Sequence, residues 1–436
     1  MQYQEALDYL YNQLPMFQTQ GKKALKKDLR NIIQLCDWLG NPQDNYPCIH
    51  IAGTNGKGSV SHYLASILSM HGYKVGLYTS PHYRDFRERI KIDKNLLDKS
   101  SVKEFVSKFK AYQVSNPNFH PSFFELTVAM AFWAFYIFKV DIVILETGLG
   151  GTLDSTNIVL PIISVITNIS LDHQWTLGYT LPEIAKEKAG IIKKDIPVII
   201  GEYQKEVQAV FEKKARSCTS DLAYANEIIT TKNSISTQST KNKTVFHEKG
   251  SRKKVAVQFD VHFEVKNFQT ALATLHSLEN NAQKSSFTLS LDYPKIERKF
   301  KAELKKWHYL GRMQWISKSP KIIVDSAHNE GGLKEFFKFV SDYKYDQLHI
   351  IIGFVNDKEL DTVLGFFPKE ARYYFVAAKI PRAMKTERLE AACEEYYLEG
   401  KSYASSRHAL AAAKRRAHKN DLICVVGSIF VVAEVV

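Results

Sequence analysis

The sequence predicts an α/β protein built around mainly parallel sheets, and three observations support this prediction. Short β-branched runs alternate with segments of helical apolar spacing along the chain. The runs are continuously apolar, which is typical of strands covered on both faces by helices. The alternation occurs as two series. We therefore expect two domains, the first over residues 1–296 and a smaller one over residues 297–436.

The first series opens with a helix and then a strand–turn–helix–strand unit. Apolar spacing predicts a helix over 24–39, which ends before Gly40. A strand at Cys48–Ala52 leads through a glycine-rich turn into a helix over 59–71, and a strand over 74–79 follows. This order is typical of a parallel βαβ unit. The remaining predicted elements of the first series are helices over 102–113 and 123–138 and strands over 141–146, 162–168 and 196–201.

The second series begins after about residue 291, and no internal repeat relates it to the first. A polar stretch over 230–254 precedes it and predicts exposed hairpins or a mobile loop. The predicted elements of the second series are strands over 321–325, 349–353, 373–378 and 422–426 and helices over 330–340 and 408–418.

Composition restricts the class of protein. An apolar fraction of 45% with 12% aromatic residues indicates a packed globular chain. The start of the chain lacks the pattern of a signal peptide, and the most apolar run, 126–138, is too short to span a bilayer. The five cysteines are scattered, which indicates reduced thiols and neither a disulfide nor a zinc framework. We therefore expect a cytoplasmic protein without a membrane partner.

The formal net charge of +13 favours acidic partners. Nucleic acid is one class of acidic partner, but no basic motif with interleaved aromatic residues accompanies the lysines. We therefore expect no nucleic-acid partner, and a nucleotide with an anionic small molecule would use the same positive field. The lysines recur within 21–27, 193–194, 241–254 and 301–306.

The strongest single motif is a glycine-rich loop between a predicted strand and a predicted helix, the position that a phosphate-binding loop requires. Its glycines allow backbone N–H groups to turn toward phosphates, and the helix N-terminus adds a positive dipole. Lys57 can reach the outer phosphates, and the hydroxyl of Ser59 can bind magnesium. An ordinary glycine turn is the alternative, but it would not require the lysine and the hydroxyl. The loop consists of Gly53, Thr54, Asn55, Gly56, Lys57, Gly58 and Ser59.

Two later strand ends carry groups that can bind a metal ion. Glu146 ends a predicted strand and precedes the glycine-rich stretch 147–157, at the edge where α/β sheets bind ligands. His173 follows the next strand, on the same edge, where a metal role is favoured over that of an ordinary surface histidine. Lys188 lies near the end of a polar helix that carries little signal by itself.

Together these segments resemble the folylpolyglutamate synthase and dihydrofolate synthase family of the Mur ligase superfamily. The resemblance extends in order over nearly the whole chain, and the loop departs from the common G-x-x-x-x-G-K-[ST] spacing in the way that is typical of Mur-type ligases. It implies a phosphate-loop-containing Mur-ligase-type central domain and a smaller Rossmann-like C-terminal domain. The motifs are GTNGKGS at 53–59, TSPH at 79–82, FRERI at 86–90, SFFE at 122–125, GLGG-LDSTN at 148–157, LDH at 171–173, EKAGI at 187–191, GR at 311–312, DSAHN at 325–329 and GSIF at 427–430.

The resemblance implies an ATP-dependent acid–amino-acid ligase. In the family reaction the γ-phosphoryl group of ATP passes to a substrate carboxylate, and the amine of L-glutamate then attacks the acyl phosphate. The implied cofactors are ATP and two Mg²⁺ ions, with K⁺ as a further cation, and a monomer is implied. The acceptor is dihydropteroate, a folate (poly)glutamate or both, and the sequence leaves this choice open.

Site residues carried over from the family lie in both predicted domains. Lys57, His173 and Lys188 take the catalytic positions, and Lys188 matches a lysine that carbon dioxide carbamylates to N6-carboxylysine. Ser59 and Glu146 would hold one magnesium ion, and His173 with the carbamate would support the second.

Substrate contacts follow from the same resemblance. Arg312 and Asp325 match nucleotide contacts, although Asp is also common at ordinary strand ends. The other matches are substrate contacts, and for Phe124 a role in core packing is a serious alternative. They are Ser80, Phe124, Asp154, His328 and Ser428.

Two departures and two alternative functions accompany this hypothesis. Thr152 stands where the family usually has arginine, and residues 266–271 stand where it usually reads His-Gln-x-x-Asn-Ala, which puts a nucleotide contact in doubt. A Mur-type peptide ligase of cell-wall precursor synthesis is one alternative, which the early position of the phosphate loop disfavours. The other is a non-catalytic nucleotide-binding or nucleic-acid-binding protein.

Overall fold

Two α/β units, each with its own sheet, account for the described part of the chain. A computed structural model describes residues 1–15, 28–234, 243–280, 287–356 and 358–436. Among these, the first unit comprises residues 1–15, 28–82 and 86–308, and the second comprises residues 83–85 and 309–436.

The first unit contains an eight-stranded sheet in the order β4-β3-β2-β5-β1-β6-β7-β8. The pairs from β2 to β8 are parallel, while β2–β3 and β3–β4 are antiparallel. The four adjacent strands β2, β5, β1 and β6 are buried along their whole length, as their continuous apolar runs predict. The strands are β1 (Cys48–Ala52), β2 (Val75–Tyr78), β3 (Ile90–Ile92), β4 (Asn95–Leu96), β5 (Ile142–Glu146), β6 (Ile163–Ile166), β7 (Val198–Ile200) and β8 (Leu222–Tyr224).

Helices complete the first unit. The long α5 is buried on nearly all sides and begins at a capping box, in which Ser122 and Glu125 each accept a hydrogen bond from the other's backbone N–H. The described helices are α1 (Tyr3–Asn12), α2 (Arg30–Trp38), α3 (Lys57–Met70), α4 (Lys99–Ser115), α5 (Phe123–Ile137), α6 (Gln174–Leu177), α7 (Leu181–Lys188), α8 (Lys205–Ser217), α9 (Ala225–Ile228), α10 (His262–Asn280) and α11 (Tyr293–Lys305).

The polar stretch 230–254 forms part of a separate antiparallel sheet, in the order β11-β10-β9. The prediction of hairpins is therefore confirmed for the described residues, and residues 235–242 of this stretch lie outside them. The predicted helix over 24–39 is confirmed over Arg30–Trp38 by α2, and its first residues, 24–27, also lie outside the described ranges. The strands are β9 (Ile229–Ser234), β10 (Lys243–Glu248) and β11 (Lys254–Val257).

The second unit contains a six-stranded sheet in the order β12-β13-β17-β14-β15-β16, parallel except at β12–β13. It confirms the predicted second α/β series, whose four strands become β13, β14, β15 and β17. The elements are β12 (Gln314–Lys318), β13 (Lys321–Val324), α12 (Glu330–Asp342), β14 (Leu348–Ile352), β15 (Arg372–Val376), α13 (Thr386–Glu395), β16 (Gly400–Tyr403), α14 (Ser406–Arg416), β17 (Leu422–Val426) and α15 (Ile429–Ala433).

Two features of the organisation go beyond the sequence patterns. β5 pairs with both β1 and β2, so it lies between the two strands of the predicted βαβ unit. The predicted division between residues 296 and 297 falls inside α11. In the structure the first unit extends to His308, because α11 packs against α3 of that unit. Within the described residues, no helix is both long and apolar enough to cross a membrane.

Candidate active site

The candidate site begins at one edge of the eight-stranded sheet. Strands β1, β5 and β6 run parallel, so their carboxyl ends lie at the same edge. Gly53 follows β1, Glu146 ends β5, and Asn168 comes shortly after β6. Ligands of open α/β sheets bind at this kind of edge.

The phosphate loop has a backbone that its glycines make possible. Gly56 is the N-cap of α3 and has a φ of 86°, in the left-handed region that favours glycine. Gly53 has a φ of 143°, and a Cβ there would lie 1.9 Å from Oγ1 of Thr167. The loop therefore packs tightly against the neighbouring strand end, and the N-terminus of the 14-residue α3 follows it directly.

Two lysines converge on one carbonyl of this loop. Nζ of Lys57 donates to the carbonyl oxygens of Gly53, at 3.0 Å, and Thr54, at 3.2 Å. Nζ of the buried Lys188 donates to the same Gly53 oxygen at 2.8 Å. Burial, together with the nearby charge of Lys57, lowers the pKa of Lys188 to about 7. The structure thus brings a phosphate-loop cation and a readily deprotonated amine together.

Glu146 faces the first turn of α3. Its Oε2 accepts a hydrogen bond from the backbone N–H of Ser80 at 3.1 Å. A Cβ at Gly58 would lie 3.6 Å from both carboxylate oxygens, so the carboxylate lies directly beside the loop. Glu146 and the adjacent Ser59 are both buried. The predicted pair Ser59 and Glu146, together with Ser80, therefore lies in one small region.

His173 lies after β6 and starts the short helix α6. Its φ of 50° is left-handed, and its backbone N–H donates to Oδ1 of Asp172 at 3.0 Å. The negative charge of Asp172 also raises the pKa of Lys188, but this effect is smaller than the lowering caused by burial. The histidine thus immediately follows an acid that contributes to the electrostatic environment of Lys188.

The donor set at the loop fits magnesium. Among the described residues, no group of three or more His, Cys, Asp or Glu side chains is arranged to hold a metal ion. Mg²⁺ does not require such a group, since it is commonly bound by one or two carboxylates together with substrate phosphates and waters. A buried carboxylate at Glu146, a hydroxyl at Ser59 and a phosphate loop supply this chemistry.

Phe124 and Asp154 both contact the start of the glycine-rich stretch that follows β5. A Cβ at Gly148 would lie 2.4 Å from the Phe124 ring, which is half-buried. Oδ2 of Asp154 accepts hydrogen bonds from the N–H groups of Gly148 and Leu149, and Oδ1 accepts two from Thr156. Burial raises the pKa of Asp154. The Asp154 carboxylate therefore fixes the backbone of this loop, in addition to the substrate contact that the resemblance implies.

The remaining predicted residues belong to the second unit. Arg312 Nη1 is 4.0 Å from Oδ1 of Asp325, whose carboxylate also accepts from the N–H groups of Met313 and Ala327. Burial raises the pKa of Asp325. Nδ1 of His328 bonds the carbonyl of Ser326 at 2.8 Å.

Ser428 lies at another strand end of the second unit. It caps α15 and follows Gly427, whose N–H donates to the carbonyl oxygen of Ala327. Ala327 follows β13 and Ser428 follows β17, and these parallel strands are neighbours. His328 and Ser428 thus lie at the carboxyl edge of one sheet.

Several residues around the loop were not identified from the sequence. Asn168 accepts from the N–H groups of both Thr54 and Asn55. The buried Lys91 donates to Nε2 of His62, whose Nδ1 bonds the carbonyl of Gly58. The available signal was weak: Lys91 directly follows the FRERI motif, but contact with the loop depends on chain folding.

Comparisons with known proteins agree with this architecture. The family model described as "Mur ligase, glutamate ligase domain" matches residues 311–429. The folylpolyglutamate synthase of Lacticaseibacillus casei is 30% identical, with 100% of this chain and 98% of that protein covered. A probable bifunctional folylpolyglutamate synthase/dihydropteroate synthase of Haloferax volcanii is also 30% identical over 100% of this chain, which spans 50% of that longer protein.

Solved structures give the same result. Escherichia coli FolC in complex with DHPP and ADP has a TM-score of 0.83 and 28% identity, with 100% of this chain and 97% of that chain covered. The folylpolyglutamate synthase of Thermotoga maritima has a TM-score of 0.79 and 30% identity, with 99% and 95% covered.

The phosphate loop on a mainly parallel sheet, followed by a second α/β unit that matches the glutamate ligase domain, defines a Mur-type ligase. The similarity to the L. casei enzyme, which extends over nearly the full length of both chains, narrows this class to one family. The chain belongs to the folylpolyglutamate synthase and dihydrofolate synthase family.

Proposed function

We propose that the protein is an ATP-dependent ligase that joins L-glutamate to dihydropteroate, to folate (poly)glutamates, or to both. One observation carries the proposal: Glu146 and Lys188 come together at the phosphate loop, which itself contains Lys57 and Ser59. Support comes from relatives named as folylpolyglutamate synthase and dihydrofolate synthase, and from solved relatives in complex with ADP, AMPPCP and folate.

The reaction consists of two transfers. The carboxylate of the acceptor attacks the γ-phosphorus of ATP, which forms an acyl phosphate and releases ADP. The amine of glutamate then attacks the acyl carbon, an amide forms, the amine loses a proton and inorganic phosphate leaves. Phosphoryl transfers of this kind depend on positioning and charge neutralisation. Lys57 would neutralise the charge of the transferring phosphoryl group.

Ser59 and Glu146 are the residues that would hold a magnesium ion beside the phosphates, and His173 would support a second. Magnesium ions neutralise phosphate charge and orient the attacking and leaving oxygens. The chain's own contribution is the fixed position of the Glu146 carboxylate, held by the N–H of Ser80 against the first turn of α3.

Lys188 would act as a carbamate. Its neutral amine would attack carbon dioxide, form an N–C bond and release a proton, so that a cation becomes an anion. Only the neutral amine is nucleophilic, and the lowered pKa of Lys188, about 7, makes this form available near neutral pH. The carbamate would then supply negative charge for the second magnesium site.

The second unit would supply the remaining contacts. Arg312 and Asp325 are proposed for the nucleotide, and His328 and Ser428 for glutamate. Phe124 is proposed to stack on the flat ring of the acceptor, because the ring lies over the backbone of Gly148 and is half-buried.

One assay tests the proposed function. Purified protein is supplied with Mg-ATP and L-glutamate, and with dihydropteroate, tetrahydrofolate or a UDP-muramyl substrate in separate reactions, and ADP release and the ligated product are measured. We expect turnover with one or both pterin acceptors and none with the UDP-muramyl substrate. Turnover only with the UDP-muramyl substrate would identify a peptide ligase, and no glutamate-dependent turnover would contradict a ligase.

A further inference from the structure

The phosphate loop is held in place by a network of polar side chains that reaches segment 266–271, where the family pattern is not followed. The carbonyl oxygen of Asn168 accepts from the N–H of Thr54 at 2.8 Å, and its Oδ1 accepts from the N–H of Asn55 at 3.0 Å. Nδ2 of Asn168 donates to Oε1 of Glu202 at 3.0 Å. One asparagine thus fixes two consecutive loop residues and is itself held by an acid.

Glu202 is in turn held by Lys266. Nζ of Lys266 donates to Oε2 of Glu202 at 2.6 Å, and the two side chains are 33% and 23% exposed. A carboxylate only accepts hydrogen bonds, so Glu202 requires the NH₂ side of the Asn168 amide to face it. The oxygen of that amide is therefore directed to the N–H of Asn55, and the ion pair orients the group that holds the loop.

Helix α10, which carries Lys266, also contacts the loop directly. A Cβ at Gly56 would lie 2.3 Å from Oδ1 of Asn267, so Asn267 packs against the turn that starts α3. Oγ1 of Thr167 donates to the carbonyl of Asn55 at 2.6 Å. The loop backbone is thus contacted both by the residue that follows β6 and by α10.

We propose that Lys266 and Glu202 are positioning residues for the nucleotide, acting through Asn168 on Thr54 and Asn55. With these two residues fixed, the backbone at the start of α3 keeps one orientation in which to receive phosphates. The inference rests on the proposed nucleotide-binding function of the loop. Segment 266–271, which departs from the family pattern, would then act on the nucleotide site indirectly, through Glu202 and Asn168.

The test measures Mg-ADP affinity by calorimetry and steady-state kinetics on the full chain. We expect Lys266→Met and Glu202→Gln each to weaken Mg-ADP binding about fivefold, the upper range for a partly exposed ion pair. The KM for ATP should rise by a similar factor, whereas kcat and the KM for glutamate should change less than about twofold. Lys266→Arg should restore most of the affinity, because it keeps the charge and the donor.

The matched control is Lys253→Met, which removes an ion pair with Glu279, at 3.0 Å, elsewhere in the first unit. It should leave Mg-ADP affinity unchanged. Thermal unfolding without nucleotide separates general destabilisation from a loss of positioning. Equal Mg-ADP affinity in Lys266→Met and the wild type would overturn this inference alone. A wild-type protein that binds no Mg-ADP would overturn the proposed function as well.

Discussion

Lys57 and Lys188 donate to the same carbonyl oxygen, that of Gly53, although 131 positions separate them in the chain. Two cations this close repel each other, which contributes to the lowered pKa of Lys188. A bound phosphate would attract Lys57, and carbamylation would reverse the charge of Lys188. The pair therefore makes two separate predictions at the scale of single residues.

Lys57→Ala should reduce kcat about 10²–10³-fold, the usual cost of losing one group that stabilises transition-state charge. The fold should persist, because the hydrogen bonds of Lys57 Nζ to the carbonyl oxygens of Gly53 and Thr54 are local to the loop. ADP release measures the loss, and circular dichroism measures the fold. Lys213→Ala, at an exposed position of α8, is the control. Normal turnover in Lys57→Ala would show that the loop does not act on phosphates.

Carbon dioxide dependence tests Lys188. Because the pKa is lowered to about 7, the neutral fraction of the amine rises as pH increases through 7. Enzyme depleted of carbon dioxide should therefore regain more activity at pH 8 than at pH 6 when the concentration of dissolved carbon dioxide is kept equal at the two pH values. Activity after a fixed incubation measures this difference.

The same residue allows a chemical rescue. Lys188→Ala should be inactive and should be partly restored by short carboxylates, which would replace the negative charge of the proposed carbamate. The neighbouring Lys186→Ala, at an exposed position of α7, should keep its activity. A fully active Lys188→Ala would exclude a carbamate role.

At the scale of elements, the segment after β5 joins the proposed magnesium site to the proposed pterin pocket. Glu146 ends the strand, and the next residues wrap around the Asp154 carboxylate. The capping box of α5 fixes the start of the helix that carries Phe124. Phe124 and Gly148 therefore meet because two elements are each fixed locally.

Gly148→Ala should displace the Phe124 ring, since the added Cβ would lie 2.4 Å from it. We expect the KM for the pterin acceptor to rise about tenfold, consistent with a modest overpacking cost, while the KM for ATP stays unchanged. Gly365→Ala is the control, because a Cβ there meets no atom within 4 Å. An unchanged acceptor KM would place the pterin away from Phe124.

The sequence patterns located most of these elements because strand and helix signals are local. The predicted helix over 123–138 is confirmed by α5, which is buried along nearly its whole length. The insertion of β5 between β1 and β2 was not predictable from local patterns, because strand order depends on contacts between residues distant in sequence. The same reason hid the contact between Lys91 and His62.

At the scale of the whole molecule, the net charge of +13 is the relevant quantity, since ATP, glutamate and the acceptor are all anions. Screening shortens the range of this field from about 10 Å at 0.1 M salt to about 3 Å at 1 M. We therefore expect the KM for ATP and for glutamate to rise with choline chloride, while kcat changes less.

Steady-state kinetics at constant K⁺ measure this effect, and choline avoids competition with alkali cations. Sucrose at matched viscosity is the control for slower diffusion. KM values that do not change with salt would mean that only local contacts attract the substrates.

The sequence by itself determined the alternation of strands and helices, the phosphate loop and the two-part organisation, because these depend on short-range spacing and on residue types with restricted conformations. Only the tertiary structure decided that Lys188 reaches Gly53, that Glu146 faces Gly58, and that Lys266 is paired with Glu202. Each of these contacts joins segments far apart in the chain. Their formation depends on how the sheet and its helices pack, which no local pattern encodes.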